Sequence, residues 1–323
     1  MLHPSFHFWQ FIARQMQQEI KVALLYVLES KGSSPGRQGF AMAVTATQMM
    51  GSLGGGIMEH KLVEMAKDKL AATADFATTL RQIHNKSVAT NQSGMICSGE
   101  QTIFLTILKE PDLASILNML VALENNQNGR LIINSAGLQF DNQIPPQNFS
   151  LTKSEDFFQL IEKIGYKNQL TIIGGGHCAL ALSKLMHSMD FYIRVYDNRP
   201  NLNTLQANSF AHEQIVVEDY ATIEKLIIKT SSHYVVIMTF GYRTDDLVLR
   251  SLQNRQDFHF LGVLGSKNKI EKMMNDYAAE GIDPQFLAKI QAPIGLPIFS
   301  QSPEEIAISI AAQIIQIKNQ PSF

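Results

Sequence analysis

Gly174-Gly175-Gly176-His177-Cys178-Ala179 follows an apolar, strand-like run and opens a helical pattern, so the stretch reads G-x-G-x-x-A in the context that gives such glycines meaning. Gly174 permits a tight turn, Gly176 lets backbone N–H groups approach a phosphate, and Ala179 keeps the helix close to the strand before it. Asp197 closes the next strand-like run 23 residues after Gly174, where a carboxylate can accept hydrogen bonds from a ribose diol. Arg199, two residues on, leaves the choice between a free and a phosphorylated ribose open. The same letters also fit a glycine turn that binds nothing. His177 at a helix start serves as a polar cap more often than as a catalyst.

A second glycine run, Gly54-Gly55-Gly56, also opens a helix, and exposed N–H groups there favour an anion. Glu59 lies in that helix's first turn, where an acidic side chain complements the dipole whether or not it meets a ligand. Cys97 stands between Gly94 and Gly99 before a strand-like run. A cysteine is usually a small buried hydrophobe, whereas a thiolate among glycines can bind a soft metal. The nine histidines are scattered, His60 beside Glu59 makes no H-E-x-x-H pair, and no G-x-S-x-G stretch occurs.

The elements that must carry these residues fall into two halves, as 323 residues predict. In the first half the spacing predicts a helix from Phe8 to Ile20, a strand at Val22 to Leu28, and a loop at Lys31 to Gly39. Phe40 to Ala46 returns as a strand, and the helix after Gly56 carries Met58, Leu62, Met65 and Leu70. Strands at Phe76 to Ile83 and Gln101 to Leu108, a helix from Pro111 to Leu123 and a hairpin at Ser135-Ala136-Gly137 follow. Asn142 to Asn148, with Pro145-Pro146, reads as a linker, so the domains expected are residues 1–148 and 149–323.

The second half begins with a short helix around Asp156 to Ile164. Strands then alternate with helices: Leu170 to Gly174, Tyr192 to Asp197, Gln214 to Val217, Tyr234 to Thr239 and Phe258 to Val263. That alternation predicts a parallel sheet with helices on both faces and a ligand at the carboxyl ends of its strands. Ser302-Pro303-Glu304-Glu305 has capping-box spacing and starts a last helix through Ile306, Ile310, Ile314 and Ile317. Met49-Met50 and Met273-Met274 read as core filling. The fold class is therefore α/β, an N-terminal α+β domain followed by a Rossmann-like parallel-sheet domain.

Composition excludes several function classes. Lys+Arg 27 against Asp+Glu 29 leave a net charge of −2, without the basic field that nucleic-acid binding needs. Two cysteines cannot build a disulfide framework, which suits a reducing compartment. No signal peptide and no membrane-spanning apolar run is evident, so a cytoplasmic protein without membrane association is expected.

Several further blocks carry a resemblance across nearly the whole chain. They are Gly32-Ser33-Ser34-Pro35, Gly51 to Gly56 with Glu59, Gly94-Met95-Ile96-Cys97 and the Gly174 turn with Asp197. Thr239-Phe240-Gly241 with Asp245, Leu261 to Lys267, Ala292 to Leu296 and Pro303 to Ala307 continue it. In this order they resemble the XdhC/CoxI family of accessory proteins for molybdenum hydroxylases such as xanthine dehydrogenase. The resemblance implies a non-enzymatic carrier that binds the molybdenum cofactor as molybdopterin, protects it during sulfuration and inserts it into an apo-hydroxylase. It implies as partners the apo xanthine dehydrogenase-type hydroxylase, a cysteine desulfurase and a second copy of the chain in a homodimer. It implies ligand contacts at Gly54, Gly55, Gly56, Glu59, Cys97, Gly174, Gly175, Gly176, His177, Asp197, Gly241, Asp245, Gly265 and Ser266. Cys97 is then the metal's ligand, and no residue is assigned as catalytic.

The chain departs from the family's pattern at named places. Gly36 intervenes before Arg37 where Pro-Arg is usual, Ser98 replaces a Gly after the Cys, Tyr242 replaces a His, and Pro297 and Phe299 replace an Asp and a Gly. Tyr242 is no near-neutral proton carrier. Two other readings stay open. One is an NAD(P)-dependent oxidoreductase using a nucleotide such as NAD in the Rossmann-like half; the other is a nucleotide-sensing scaffold that leaves Cys97 idle.

Overall fold

The computed structural model describes residues 2–72, 75–83, 99–155, 157–228 and 232–320. The chain divides into two compact units at Gly165/Tyr166.

The first unit runs α1 (Phe6–Gln17), β1 (Ala23–Gly32), β2 (Ala41–Val44), β3 (Met49–Gly51), α2 (Gly56–Ala72), β4 (Ala77–Ile83), β5 (Gly99–Ile107) and α3 (Glu110–Glu124), then β6 (Gly129–Asn134), β7 (Gly137–Asp141), β8 (Phe149–Lys153) and β9 (Phe158–Ile164). Two antiparallel sheets result, in the orders β3-β2-β1-β5-β4 and β7-β6-β9-β8. The unbroken apolar run of β1 is explained by burial on both faces. Leu24, Tyr26 and Leu28 join a core with Trp9, Ile12, Ile116 and Leu160, whereas Ala23, Leu25 and Val27 meet Met58, Leu62 and Ala66 of α2.

Here the structure corrects the sequence reading. Of the stretch expected as a helix around 156–164, residues 158–164 form β9 instead, antiparallel to β6 from Gly129↔Ile164 to Asn134↔Gln159. The strand pairs β6 on one side and β8 on the other, so both belong to the first unit, and the expected boundary at 148 moves to 165. The expected linker at 142–148 is a connection within that unit. Met273 is fully buried as expected of core filling, but Met49 is 62% exposed.

The second unit runs β10 (Asn168–Ile173), α4 (His177–His187), β11 (Phe191–Asp197), α5 (Asn203–Gln206), β12 (Glu213–Val216), β13 (His233–Ile237), α6 (Tyr242–Leu252), β14 (Phe260–Val263), α7 (Lys267–Ala279), α8 (Pro284–Lys289), β15 (Ile290–Gln291) and α9 (Pro303–Lys318). Its sheet is parallel throughout, in the order β12-β11-β10-β13-β14-β15. Counted along the chain this is 3-2-1-4-5-6, the doubly wound order whose direction reverses between β10 and β13. One face packs on α4 and α9 through Leu182, Met186, Ile310 and Ile314, and the other on α6 and α7 through Val248, Leu252, Ile270 and Met273. The capping box forms as the spacing predicts: Glu305 N–H donates to Ser302 Oγ at 3.2 Å and Ser302 N–H to Glu305 Oε2 at 3.1 Å. Among the described residues no helix is long and apolar enough to cross a membrane.

Candidate functional site

In the first unit, three backbone segments meet where no side chain fits between them. A Cβ on Gly36 would lie 2.2 Å from the Leu53 carbonyl oxygen, and one on Gly54 would lie 2.4 Å from Gly36 N. One on Gly99 would lie 2.5 Å from Ser34 N. The loop after β1, the loop after β3 and the entry to β5 are thus locked backbone to backbone, and Gly36, foreign to the family pattern, is required by this contact. Gln101, 1% exposed, sits beneath: its Oε1 accepts from Ser34 Oγ at 2.6 Å and Gly36 N–H at 3.2 Å, and its Nε2 approaches Met58 Sδ at 3.2 Å. Gln101 is no candidate on the sequence beyond opening a strand, and Ser34 figures there only within the Gly32–Pro35 block. A glutamine within the apolar run of β5 is the signal that could have found it.

Glu59 turns back on its own loop. Its Oε2 accepts from Ser52 Oγ at 2.8 Å, Leu53 N–H at 2.8 Å and Gly55 N–H at 3.0 Å, while Gly54 N–H donates to Ser52 Oγ at 3.1 Å. Burial opposes ionisation of Glu59, but these donors outweigh it and hold its carboxyl below the usual range. The N–H groups expected to greet a ligand at Gly54 and Gly55 are therefore spent within the loop. Cys97, with Gly94 and Ser98, lies outside the described residues.

In the second unit, the turn after β10 depends on Gly174, whose φ is +109° and whose Cβ would stand 2.2 Å from the Met238 carbonyl oxygen. Gly174 N–H donates to the Tyr196 carbonyl at 2.7 Å and Gly175 N–H to Asp197 Oδ2 at 2.6 Å. Gly176 differs: its φ of −72° suits any residue, and a Cβ there would meet nothing within 4 Å. His177 is exposed beside it, and Cys178 is half-buried against the α4–α9 core, where burial pushes its thiol pKa up.

Asp197 is fully buried and does not offer its carboxylate to a ligand. Oδ1 accepts from Arg199 N–H and Nε, both at 2.9 Å, and Oδ2 from Gly175 N–H and Arg199 Nη2 at 2.8 Å. Burial penalises the charge, yet the guanidinium and backbone donors keep its pKa below normal. Beside these groups opens a cleft of about 630 Å³ lined by Gly176, His177, Arg199, Thr204, Thr239 and Phe240, among others.

Across the strand ends, fully buried Asp245 accepts from Thr239 N–H at 3.1 Å, Thr239 Oγ1 at 2.5 Å and Lys269 Nζ. Lys269 also donates to the Leu264 carbonyl at 3.1 Å. Gly241 caps α6, its N–H donating to Thr244 Oγ1 at 3.2 Å. Ser266 caps α7, accepting from Lys269 N–H at 3.4 Å, and Gly265 precedes it against Lys269. Asp245, Gly265 and Ser266 therefore brace the ends of β13 and β14, and Tyr242 donates its hydroxyl to Asp276 at 2.8 Å. Among the described residues no three His, Cys, Asp or Glu side chains gather as a metal-binding group.

Two family models match these two units. Residues 170–314 match the XdhC Rossmann domain, and residues 15–81 match the XdhC and CoxI family. The chain belongs to the XdhC/CoxI family. As an XdhC/CoxI protein it is 24% identical over 95% of its length to an Escherichia coli K12 protein named as uncharacterized protein YqeB, and it covers 45% of that relative. It is 28% identical over half its length to a Bacillus subtilis 168 protein named as a probable xanthine dehydrogenase component, covering 46% of that relative. The match thus spans under half the length of each of these relatives. A crystal structure from Bacillus halodurans, described as a xanthine dehydrogenase, shares the fold with a TM-score of 0.70, 20% identity and coverage of 96% and 95% of the two chains.

Proposed function

We propose that this chain is an accessory protein that receives the molybdenum cofactor as molybdopterin, shields it while a cysteine desulfurase supplies sulfur to the metal, and passes it to an apo-hydroxylase of the xanthine dehydrogenase type. The observation that carries the reading is the triple backbone lock at Gly36, Gly54 and Gly99. Only glycine permits such close approaches, and they hold a short segment in one shape. Gly99 stands two residues after Cys97 in the sequence, so the lock anchors the chain next to the one thiol of the first half. In this reading the Cys97 thiolate ligates the molybdenum, a soft donor on a thiophilic metal, and exchange of that bond releases the cargo. Family membership supports the same assignment.

The chain's part is custody rather than turnover. Glu59 and Gln101 stiffen the two loops, and Gly56 at the α2 start, beyond the donors spent on Glu59, remains as a contact for the cofactor's phosphate. The NAD-dependent form of the oxidoreductase reading is weakened because both oxygens of Asp197 are already taken, so the group meant to hold a free nicotinamide-nucleotide ribose is not on offer.

Cys97→Ser tests the proposal, because serine keeps the size and removes the soft sulfur. Purified from a molybdenum-competent host, the variant should fold as the wild type and retain less molybdopterin. Equal retention together with equal activation of an apo-hydroxylase would reject Cys97 as the metal's ligand.

A further inference from the structure

The pair Asp197 and Arg199 invites a question that the glycine turn alone does not answer. A carboxylate at the end of the second strand of a doubly wound sheet ordinarily accepts hydrogen bonds from both hydroxyls of a ribose. Here that carboxylate is fully buried and accepts four hydrogen bonds from its own chain, three of them from Arg199. A diol would have to displace a guanidinium held in a two-point grip.

Arg199 is oriented by the same grip. A guanidinium carries five N–H donors. Nε and Nη2 each give one to Asp197, so three remain, and the side chain is 40% exposed where it lines the cleft. Its charge is kept, since the Asp197 hydrogen bond raises its pKa further. A planar fork held rigid with outward N–H groups suits a phosphate monoester.

Phe240 supplies a different kind of contact on the same cleft. It lies in the turn after β13, on the other side of β10 from the turn after β11; the residue is 87% exposed, and the Arg199 guanidinium lies over its ring, 5.8 Å from the centroid. A ring so exposed beside a cation offers a stacking surface for a flat heteroaromatic base. The loop carrying Arg199 is itself fastened: Thr204 Oγ1 donates to the Gly175 carbonyl at 2.6 Å and Asn198 N–H to the Tyr220 hydroxyl at 3.2 Å. Gly176 lies between the two turns with open space above it.

We infer that the cleft of the second unit is a site for an adenine nucleotide bearing a phosphate monoester on its ribose, of the NADP class, with Arg199 on that phosphate, Phe240 against the base and free-diol nucleotides such as NAD disfavoured. The inference concerns the second unit alone and goes beyond the custody of molybdopterin. Its readout is nucleotide affinity, whereas that reading fails or stands on retained pterin, so the two outcomes are separable.

Titration calorimetry of the full chain with NADP⁺ and NAD⁺ decides the matter. Wild-type protein should bind NADP⁺ about tenfold or more tightly than NAD⁺, the range expected for a charge-assisted hydrogen-bonded contact. Arg199→Gln should erase that preference by weakening NADP⁺ alone. Phe240→Ala changes an exposed side chain and should weaken both nucleotides in proportion, leaving the preference intact. If wild-type protein binds the two nucleotides equally, prefers NAD⁺ or binds neither, the inference is overturned whatever becomes of the variants. A preference that survives Arg199→Gln would overturn the role given to Arg199.

Discussion

Gly174 and Gly176 sit two residues apart in one turn, and the structure assigns them opposite sensitivities. Alanine at 174 places a Cβ 2.2 Å from the Met238 carbonyl oxygen, at a backbone φ of +109°. The conformational strain costs about 1–3 kcal/mol. Relieving the clash by shifting packed backbone costs about 1–3 kcal/mol more. The sum, about 2–6 kcal/mol, corresponds to a fall in melting temperature of at least about 4 °C for a domain of this size. Alanine at 176 meets nothing within 4 Å at a φ of −72° and should change stability by less than about 0.5 kcal/mol. Gly176→Asp should likewise fold, yet lose phosphate-bearing ligands through bulk and like charge. Urea denaturation of the three variants, followed by calorimetry on those that fold, measures both effects. Equal stability of Gly174→Ala and Gly176→Ala would refute the reasoning about the turn, and undiminished ligand affinity in Gly176→Asp would refute its role.

Asp245→Asn should destabilise the second unit by about 3–5 kcal/mol, because the Lys269 ammonium loses its buried carboxylate while the amide oxygen can still accept from Thr239; urea melts monitored by fluorescence check this. Gln101→Leu should cost the first unit about 1–3 kcal/mol by stranding the buried Ser34 hydroxyl and the Gly36 N–H, read in the same way. Burial first, and nearby Arg255 second, push the pKa of His233 down to about 4 from 6.5. The unfolded chain therefore takes up protons that the folded unit refuses, and stability should fall as pH drops from about 6.5 towards 4, by up to about 3 kcal/mol for this residue. Denaturant midpoints between pH 7 and pH 4.5 test that slope. The purified chain should reduce neither NAD⁺ nor NADP⁺ with purines or hydroxy acids; steady turnover in a spectrophotometric assay would favour the oxidoreductase reading.

The second unit was the more legible half because its strands alternate with helices, and the first two of them run up to Gly174 and Asp197. Leu170 to Gly174 and Tyr192 to Asp197 appear almost where their spacing puts them. The failure at residues 158–164 has a physical source. Phe158, Ile161 and Ile164 recur at helical intervals, while the true alternation of Phe158, Leu160, Glu162 and Ile164 is disguised by a glutamate at an inward position. Glu162 is tolerated there because it accepts from the Tyr26 hydroxyl, a partner 136 residues away that no local pattern can announce. The same limit explains the site. The spacing located Glu59 and Asp197, but their oxygens are committed to Ser52, Leu53, Gly55, Gly175 and Arg199, and only the folded geometry reveals those commitments.

Custody of the molybdenum cofactor is tested most directly by the metal and pterin content of wild-type chain purified from a molybdenum-competent host, paired with its ability to activate an apo-hydroxylase. Molybdenum and molybdopterin should be found together, in amounts comparable with the chain, and activation should rise with the loaded fraction. Protein free of both, with no effect on the apo-hydroxylase, would contradict it.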